Sequence, residues 1–227
     1  MAQFRAISDH VLQLALDPLQ GVNCYLVPEG DGHTLIDAGG KLDARRIIKA
    51  LRGRTLVRHV VTHVHPDHQG SSHAVCTEYD LPFVVPAGEE RQAEAGTFEG
   101  LSGDSRRARV SAHVFGGPGH PVAATIKDGE SVGDFVAVAL PGHTPGQLGF
   151  WHEQSRTLIC GDGLRNMSFA TGRPGIRLPP DYFTVDPAEA KLTAAKIREM
   201  RPELIAFGHG RPARGADDIA EQLATLV

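Results

Sequence analysis

Residues 62–70 read Thr-His-Val-His-Pro-Asp-His-Gln-Gly, with three histidines and one carboxylate inside six positions. No other stretch constrains the chain as strongly. Imidazole and carboxylate together suit borderline divalent metals such as Zn²⁺, Mn²⁺ or Fe²⁺. The apolar run over 57–61 reads as a buried strand, so the stretch sits where a strand ends. In extended backbone, residues two apart point the same way, so His63 and His65 can bind one ion together. Pro66 then bends and stiffens the chain. Asp67 and His68 follow at the turn and face a second position. A solvated polar loop is the alternative, and the later partners of this stretch weigh against it.

The rest of the chain bounds the setting. Its 227 residues suit one large domain, read here as 1–227, with a sizeable core. A formal net charge of −4 without a lysine-arginine run disfavours a nucleic-acid partner. No apolar run reaches membrane-spanning length. The start lacks a basic-then-apolar leader, so a cytoplasmic home is expected. Three cysteines, Cys24, Cys76 and Cys160, give no disulfide framework and read as reduced, buried thiols.

Strands are expected over 10–16, 22–27, 34–38, 57–61, 82–85, 122–126, 135–140, 147–152, 157–160 and 204–207. A turn over 18–21 separates the first two. Helices are expected over 42–51, 71–79, 89–95, 187–200 and 217–226. Asp186 caps the fourth, with Pro187 in its first turn. Residues 96–121, rich in Gly, Ser, Arg and Pro, read as irregular, a rim or lid over the site. Their basic group Arg106, Arg107 and Arg109 reads as a solvated face, with anion capture as the minority alternative.

Three later loops share one design, an apolar strand followed by a Gly-flanked metal-type residue. They carry His143 in Pro-Gly-His-Thr-Pro-Gly, Asp162 in Cys-Gly-Asp-Gly and His209 in Phe-Gly-His-Gly. Glycine lets the backbone turn sharply and approach an ion. Strand ends converge at one rim of a sheet, where sites are commonly built.

With these residues in view, the pattern resembles the metallo-β-lactamase superfamily: HxHxDH, then His, Asp and His on later loops. The likeness covers essentially the whole chain. It implies an α/β fold, a four-layer αββα sandwich of two mixed sheets with helices outside, and a two-metal site at one edge. It puts His63, His65 and His143 on a first metal and Asp67, His68 and His209 on a second, with Asp162 bridging. Asp37 matches the family's acidic residue that braces the histidine loop; a turn former beside Gly39 is its other reading. The remaining histidines (His10, His33, His59, His73, His113, His120 and His152) read as surface or structural residues, with His113 and His120 the nearest to exceptions.

The expected chemistry follows from charge. Two divalent ions bring +4 and two aspartates −2, so a bridging hydroxide leaves the site at about +1. Such a site makes a nucleophile near neutral pH and stabilises a developing oxyanion. The expected activity is hydrolysis of an activated acyl bond (thioester, lactone or ester) in a small, preferably anionic substrate. Two Zn²⁺ ions are the first choice of cofactor, with Fe or Mn as alternatives. Asp67 is the candidate for orienting the nucleophile and shuttling its proton. Arg165, Asn166, Tyr182 and Phe183 are candidate substrate contacts; Thr144 and Gln147 flank His143. Monomer and homodimer both remain open.

The resemblance also narrows the branch. Asp162 stands where true β-lactamases usually carry Cys. The likeness is to the glyoxalase II-like and lactonase-like branch. Eighteen residues follow His209, so the helical domain that grips glutathione in full-length thioesterases is expected to be missing. A different acyl carrier or a shorter substrate is then implied. The alternative is an enzyme like the persulfide dioxygenases, with one non-heme Fe²⁺ on two histidines and an aspartate. Residues 163–167 do not match that branch. A non-enzymatic metal binder is a third class.

Overall fold

A computed structural model describes residues 3–17, 19–103 and 105–227 of the chain. Pro18, assigned above to a turn, lies outside the described residues. A seven-stranded sheet holds β1 (Arg5–Ser8), β2 (Val11–Ala15), β3 (Asn23–Glu29), β4 (Gly32–Ile36), β5 (Leu56–Val60), β6 (Phe83–Pro86) and β7 (Ala124–Ile126), in that spatial order. Neighbours from β1 to β4 are antiparallel; those from β4 to β7 are parallel. Parallel neighbours need crossovers. Helices supply them: α1 (Ala44–Leu51), then α2 (Pro66–Gln69) and α3 (Ser72–Tyr79), then α4 (Glu90–Ala95) and α5 (Arg106–Phe115).

The second sheet has six strands: β8 (Ser131–Val132), β9 (Phe135–Ala139), β10 (Leu148–His152), β11 (Thr157–Ile159), β12 (Leu204–Ala206) and β13 (Ala213–Arg214). Its one parallel pair, β11 with β12, is crossed over by α6 (Pro187–Met200). Helix α7 (Ala216–Ala224) follows β13.

Strand alternation sorts the apolar side chains into three layers. On β3, Leu26 turns outward to Ile47 and Leu51 of α1 and Val75 of α3. Its neighbours Tyr25 and Val27 turn inward to Phe135, Phe150 and Ile159 of the other sheet. On β11 and β12, Leu158 and Ile205 face Ala194 and Ile197 of α6 and Ile219 and Leu223 of α7. One layer between the sheets and one outside each make the αββα sandwich. Among the described residues no helix is long and apolar enough to cross a membrane.

Local chemistry accounts for most elements. Asp186 accepts from the Ala188 and Glu189 amides, both at 3.0 Å, and Pro187 opens α6. Residues 96–121 depart from the irregular reading, because α5 runs through their middle. Ser105 caps it by accepting from the Ala108 amide at 3.0 Å. The apolar stripe of α5 is small and short, and Ala108 is its one buried residue, so periodicity gave little signal. The strands β1, β8 and β13 were also absent from the sequence reading. Each has at most four residues and lies at or near a sheet edge, where pattern is weakest.

One buried histidine ties β5 to its neighbours. His59 Nδ1 donates to the Leu35 carbonyl at 3.1 Å, and its Nε2 accepts from Ser72 Oγ at 2.8 Å. Burial pushes its pKa down to about 4. The unfolded chain therefore binds an extra proton between about pH 4 and 6.5. Stability from this neutral ring is complete above that window and is lost as pH falls through it, up to about 3 kcal/mol. Denaturant unfolding of the parent and His59→Gln from pH 7 to pH 4.5 checks this. The parent's curve is expected to fall more steeply; parallel curves would remove His59 from the account.

Candidate metal centre

All four chemistry-bearing loops leave the C-terminal ends of strands. The chain leaves β5 through His63 and His65 into α2, which carries Asp67 and His68. His143 follows β9, Asp162 follows β11 and His209 follows β12. Parallel alignment puts the ends of β4 and β5 on one rim, and that of β11 with β12 does the same opposite.

The seven donors named from the sequence converge there. The rings of His63, His65 and His143 lie with centroids 4.6–5.0 Å apart. Asp67, His68 and His209 form a second group, with donor atoms within 4.8 Å of one another. Asp162 stands between them. Its Oδ1 is 3.4 Å from His68 Nε2; its Oδ2 is 3.5 Å from His143 Nε2 and 3.0 Å from His209 Nε2. Asp67 Oδ2 lies 3.3 Å from His209 Nε2. The Nε2 atoms of His63, His68 and His143 and Asp162 Oδ1 are buried without a hydrogen-bond partner. A buried polar atom left unpaired costs about 1–3 kcal/mol. Four of them aimed at one space fit a divalent cation.

Each imidazole is oriented by its other nitrogen, as ligating histidines require. His68 Nδ1 meets Asp37 Oδ2 at 2.8 Å. His63 Nδ1 meets Thr62 Oγ1 at 3.0 Å, and that hydroxyl donates to Asp37 Oδ2 at 3.0 Å. His65 Nε2 donates to the Leu101 carbonyl at 2.5 Å, which leaves Nδ1 for a cation. His143 Nδ1 faces Thr184 Oγ1 at 3.4 Å, and His209 Nδ1 donates to the Gly21 carbonyl. Asp37 also accepts the Thr62 amide at 2.7 Å. It does so from left-handed backbone, φ 59°, which aspartate tolerates better than most residues.

The electrostatics divide the site. Burial and the neighbouring rings push the histidines of the first group down, His143 to about 3. Burial also opposes charge on His68 and His209, but the carboxylates outweigh it. Asp37 and Asp162 raise His68 well above the imidazole range, and Asp162 with Asp67 raises His209 to about 10. Burial pushes Asp67 and Asp162 up, and the histidines more than reverse it. The field therefore favours positive charge beside Asp162 and Asp67, and keeps the imidazoles of the first group neutral and ready to donate.

Of the four candidate substrate contacts, Phe183 lines the cleft above the donors, which measures about 390 Å³. The other three have their polar groups or rings engaged within the fold. Arg165 is committed to the Leu178 and Met167 carbonyls and backs Phe169, whose ring stands edge-on to His209 at 5.0 Å. Asn166 bonds the Arg211 carbonyl at 2.8 Å and the Gly175 amide at 2.9 Å. Tyr182 stacks under Arg107. Residues 96–121 do form a rim: Phe98, Ser102, Arg109 and Ala112 line the cleft.

Three supports of the site carry little or no signal in the sequence. Glu89, taken for the start of a helix, buries its carboxylate between two donor loops. Asn23 donates to the carbonyls of Phe207 and Gly210, on either side of His209. The Leu101 carbonyl comes from the segment read as irregular. Only the Gly-flanked design of the loops hinted that something must hold them. The three thiols are buried and free. A third triad, His63, His68 and Asp162, bridges the two groups, and among the described residues no triad forms outside these seven side chains.

Comparison with known proteins agrees with this frame. Residues 17–209 match the family model described as the metallo-beta-lactamase superfamily. The chain is 33% identical to the uncharacterized protein YobT of Bacillus subtilis over 93% of both chains. It is 26% identical to the probable metallo-hydrolase YflN of the same organism, covering 92% of this chain and 90% of the relative. A hydroxyacylglutathione hydrolase of Methylococcus capsulatus is 31% identical over 71% of this chain and 50% of its own. Among solved structures, the BLEG-1 B3 metallo-β-lactamase superposes with a TM-score of 0.71 at 22% identity, covering 96% and 99% of the two chains. TTHA1623 in a di-iron-bound form gives 0.70 at 25% identity, covering 92% and 97%. Fold, donor cluster and relatives together define a metal-dependent hydrolase. The chain belongs to the metallo-β-lactamase superfamily.

Proposed function

We propose that the protein is a dinuclear metal hydrolase that cleaves an activated acyl bond (thioester, lactone or ester) in a small substrate. One observation carries the reading: two donor groups, His63, His65 and His143 on one side and Asp67, His68 and His209 on the other, share Asp162 between them. The donor set suits Zn²⁺. The di-iron form of TTHA1623 supports a pair of ions and makes iron the first alternative. The hydroxyacylglutathione hydrolase relative supports acyl transfer to water. A bound pair of divalent ions supplies an acidified water and polarises a carbonyl oxygen.

The chain's own residues do the rest. Phe98, Phe169, Pro180 and Phe183 give the cleft an apolar wall that excludes water from an acyl arm. The net positive charge of a two-metal site favours a substrate bearing an anion, and Arg109 lies along the same cleft. Asp67 faces the cleft and His209 together. As a carboxylate it would accept a hydrogen bond from the attacking water and orient its lone pair. Burial and Phe169 keep His209 fixed behind it.

Elemental analysis of protein purified without added metal, followed by a thioester, lactone and ester panel with an oxygen-uptake control, tests this. About two metal ions per chain and turnover of one acyl class without oxygen consumption are expected. One iron per chain with oxygen uptake would favour the dioxygenase alternative. No metal and no uptake of added metal would remove the proposal.

A further inference from the structure

We propose that Glu89 is the positioning residue for the three-imidazole half of the centre, His63, His65 and His143, and acts on that half alone. The inference rests on the dinuclear reading above. Glu89 is 1% exposed and touches neither cleft nor donor atoms. Its Oε2 accepts the amide of Val64, the residue between His63 and His65, at 2.7 Å. Its Oε1 accepts the hydroxyl of Thr144, next to His143, at 2.5 Å and the amide of Gly146 at 3.0 Å. One carboxylate thus fastens two loops that are otherwise joined by a backbone bond only at their margin, from the Leu148 amide to the Thr62 carbonyl at 2.9 Å. Together those loops carry every donor of the first group.

The second half has other supports, of which Asp37 also reaches His63 of the first half through Thr62. Asp37 orients His68, the Ala38 amide donates to the His68 carbonyl at 2.7 Å, and Asn23 and the Gly21 carbonyl hold the His209 loop. Glu89 contacts none of these. Three donors meeting two oxygens require a carboxylate, since an amide would turn an NH₂ against one of them. The site is also shaped for it. A Cβ on Gly146 would lie 2.9 Å from Glu89 Oε1 and 3.0 Å from its Cγ, so glycine leaves that space to the carboxylate. Burial raises the Glu89 carboxyl above its ordinary value and its three donors offset that only in part.

The test is cobalt(II) titration of the chelator-treated full chain, read by visible absorption, for the parent, Glu89→Gln, Glu89→Asp and Thr144→Val. The parent is expected to take up two equivalents with separable spectra. In Glu89→Gln and Thr144→Val one equivalent should weaken roughly 10–100-fold, the cost usual for losing an outer partner of a ligand. The other should be unmoved, and Glu89→Asp should recover part of the loss. The double variant should be no weaker than Glu89→Gln, because both break one contact set. Equal weakening of both equivalents, or a parental isotherm in Thr144→Val, overturns the assignment. Should Glu89→Gln fail to fold, Thr144→Val, which keeps its volume, decides. A parent that takes up one equivalent sinks the dinuclear reading instead; Glu89 then stands or falls on whether that equivalent weakens in Thr144→Val.

Discussion

Asp162→Asn is expected to retain at most one divalent ion per chain and to lose on the order of 10³-fold in turnover. Asp162 is the side chain that faces both donor groups, with His68, His143 and His209 all within 3.5 Å of its oxygens. Asparagine keeps the shape but removes the charge and turns an NH₂ toward at least one imidazole. Two cations brought together without that carboxylate repel, and the second loses a ligand as well. Asp162 is also the leading source of positive charge preference at His209, so the field of the second group weakens with it. Metal content after gel filtration, turnover of the preferred acyl substrate and a thermal melt should be measured together. A folded variant with two ions and near-parental turnover would mean that Asp162 does not link the halves.

A second large loss, in metal affinity, should come from a residue with no functional atom. Gly208→Ala adds one methyl group just before His209. Its Cβ would lie 2.3 Å from Asp162 Oδ1 and 2.6 Å from His68 Cε1, far inside contact distance. The backbone cannot retreat. The Gly208 amide donates to the Gly161 carbonyl at 2.9 Å, and its carbonyl accepts the Asn23 amide at 3.0 Å. Nor is there a conformational objection to alanine, because Gly208 is absent from the left-handed residues. The methyl must therefore displace Asp162 and His68, and metal affinity at the second group should fall on the order of 10²-fold or more. Cobalt titration reads the loss directly. A parental isotherm would show that the loop yields, and that the close approach at Gly208 is incidental.

The contrast between these two positions shows how much a reader of the sequence can see. Asp162 was conspicuous, a carboxylate between glycines after an apolar strand, in a chain already carrying His-x-His-x-Asp-His. Gly208 was visible only as one more flanking glycine; its role is a distance to side chains far away in sequence. Asp37 lay between these cases. Its place after a strand suggested a brace through the family resemblance, but that it grips His68 and Thr62 at once is a tertiary fact. For Arg165 and Asn166 the sequence offered only that a polar residue between two donors can be a substrate contact. In the fold their groups are taken up by loop carbonyls and an amide.

By itself the sequence picked out the metal-type residues and the two faces of each strand, through spacing two apart along extended chain, alternation along strands and glycine beside a metal-type residue. The sharing of those residues between two metals and the αββα layering came with the family resemblance. Leu26 against Tyr25 and Val27, or Leu158 against Ile159, need no partner to declare which face they prefer. Only the tertiary structure decided what holds the donors still. Glu89 at the head of a helix looks like any acidic residue in a first turn, and the Leu101 carbonyl has no side-chain signature at all. Their roles come from being brought, by strands far apart in the chain, within hydrogen-bond reach of the loops they steady.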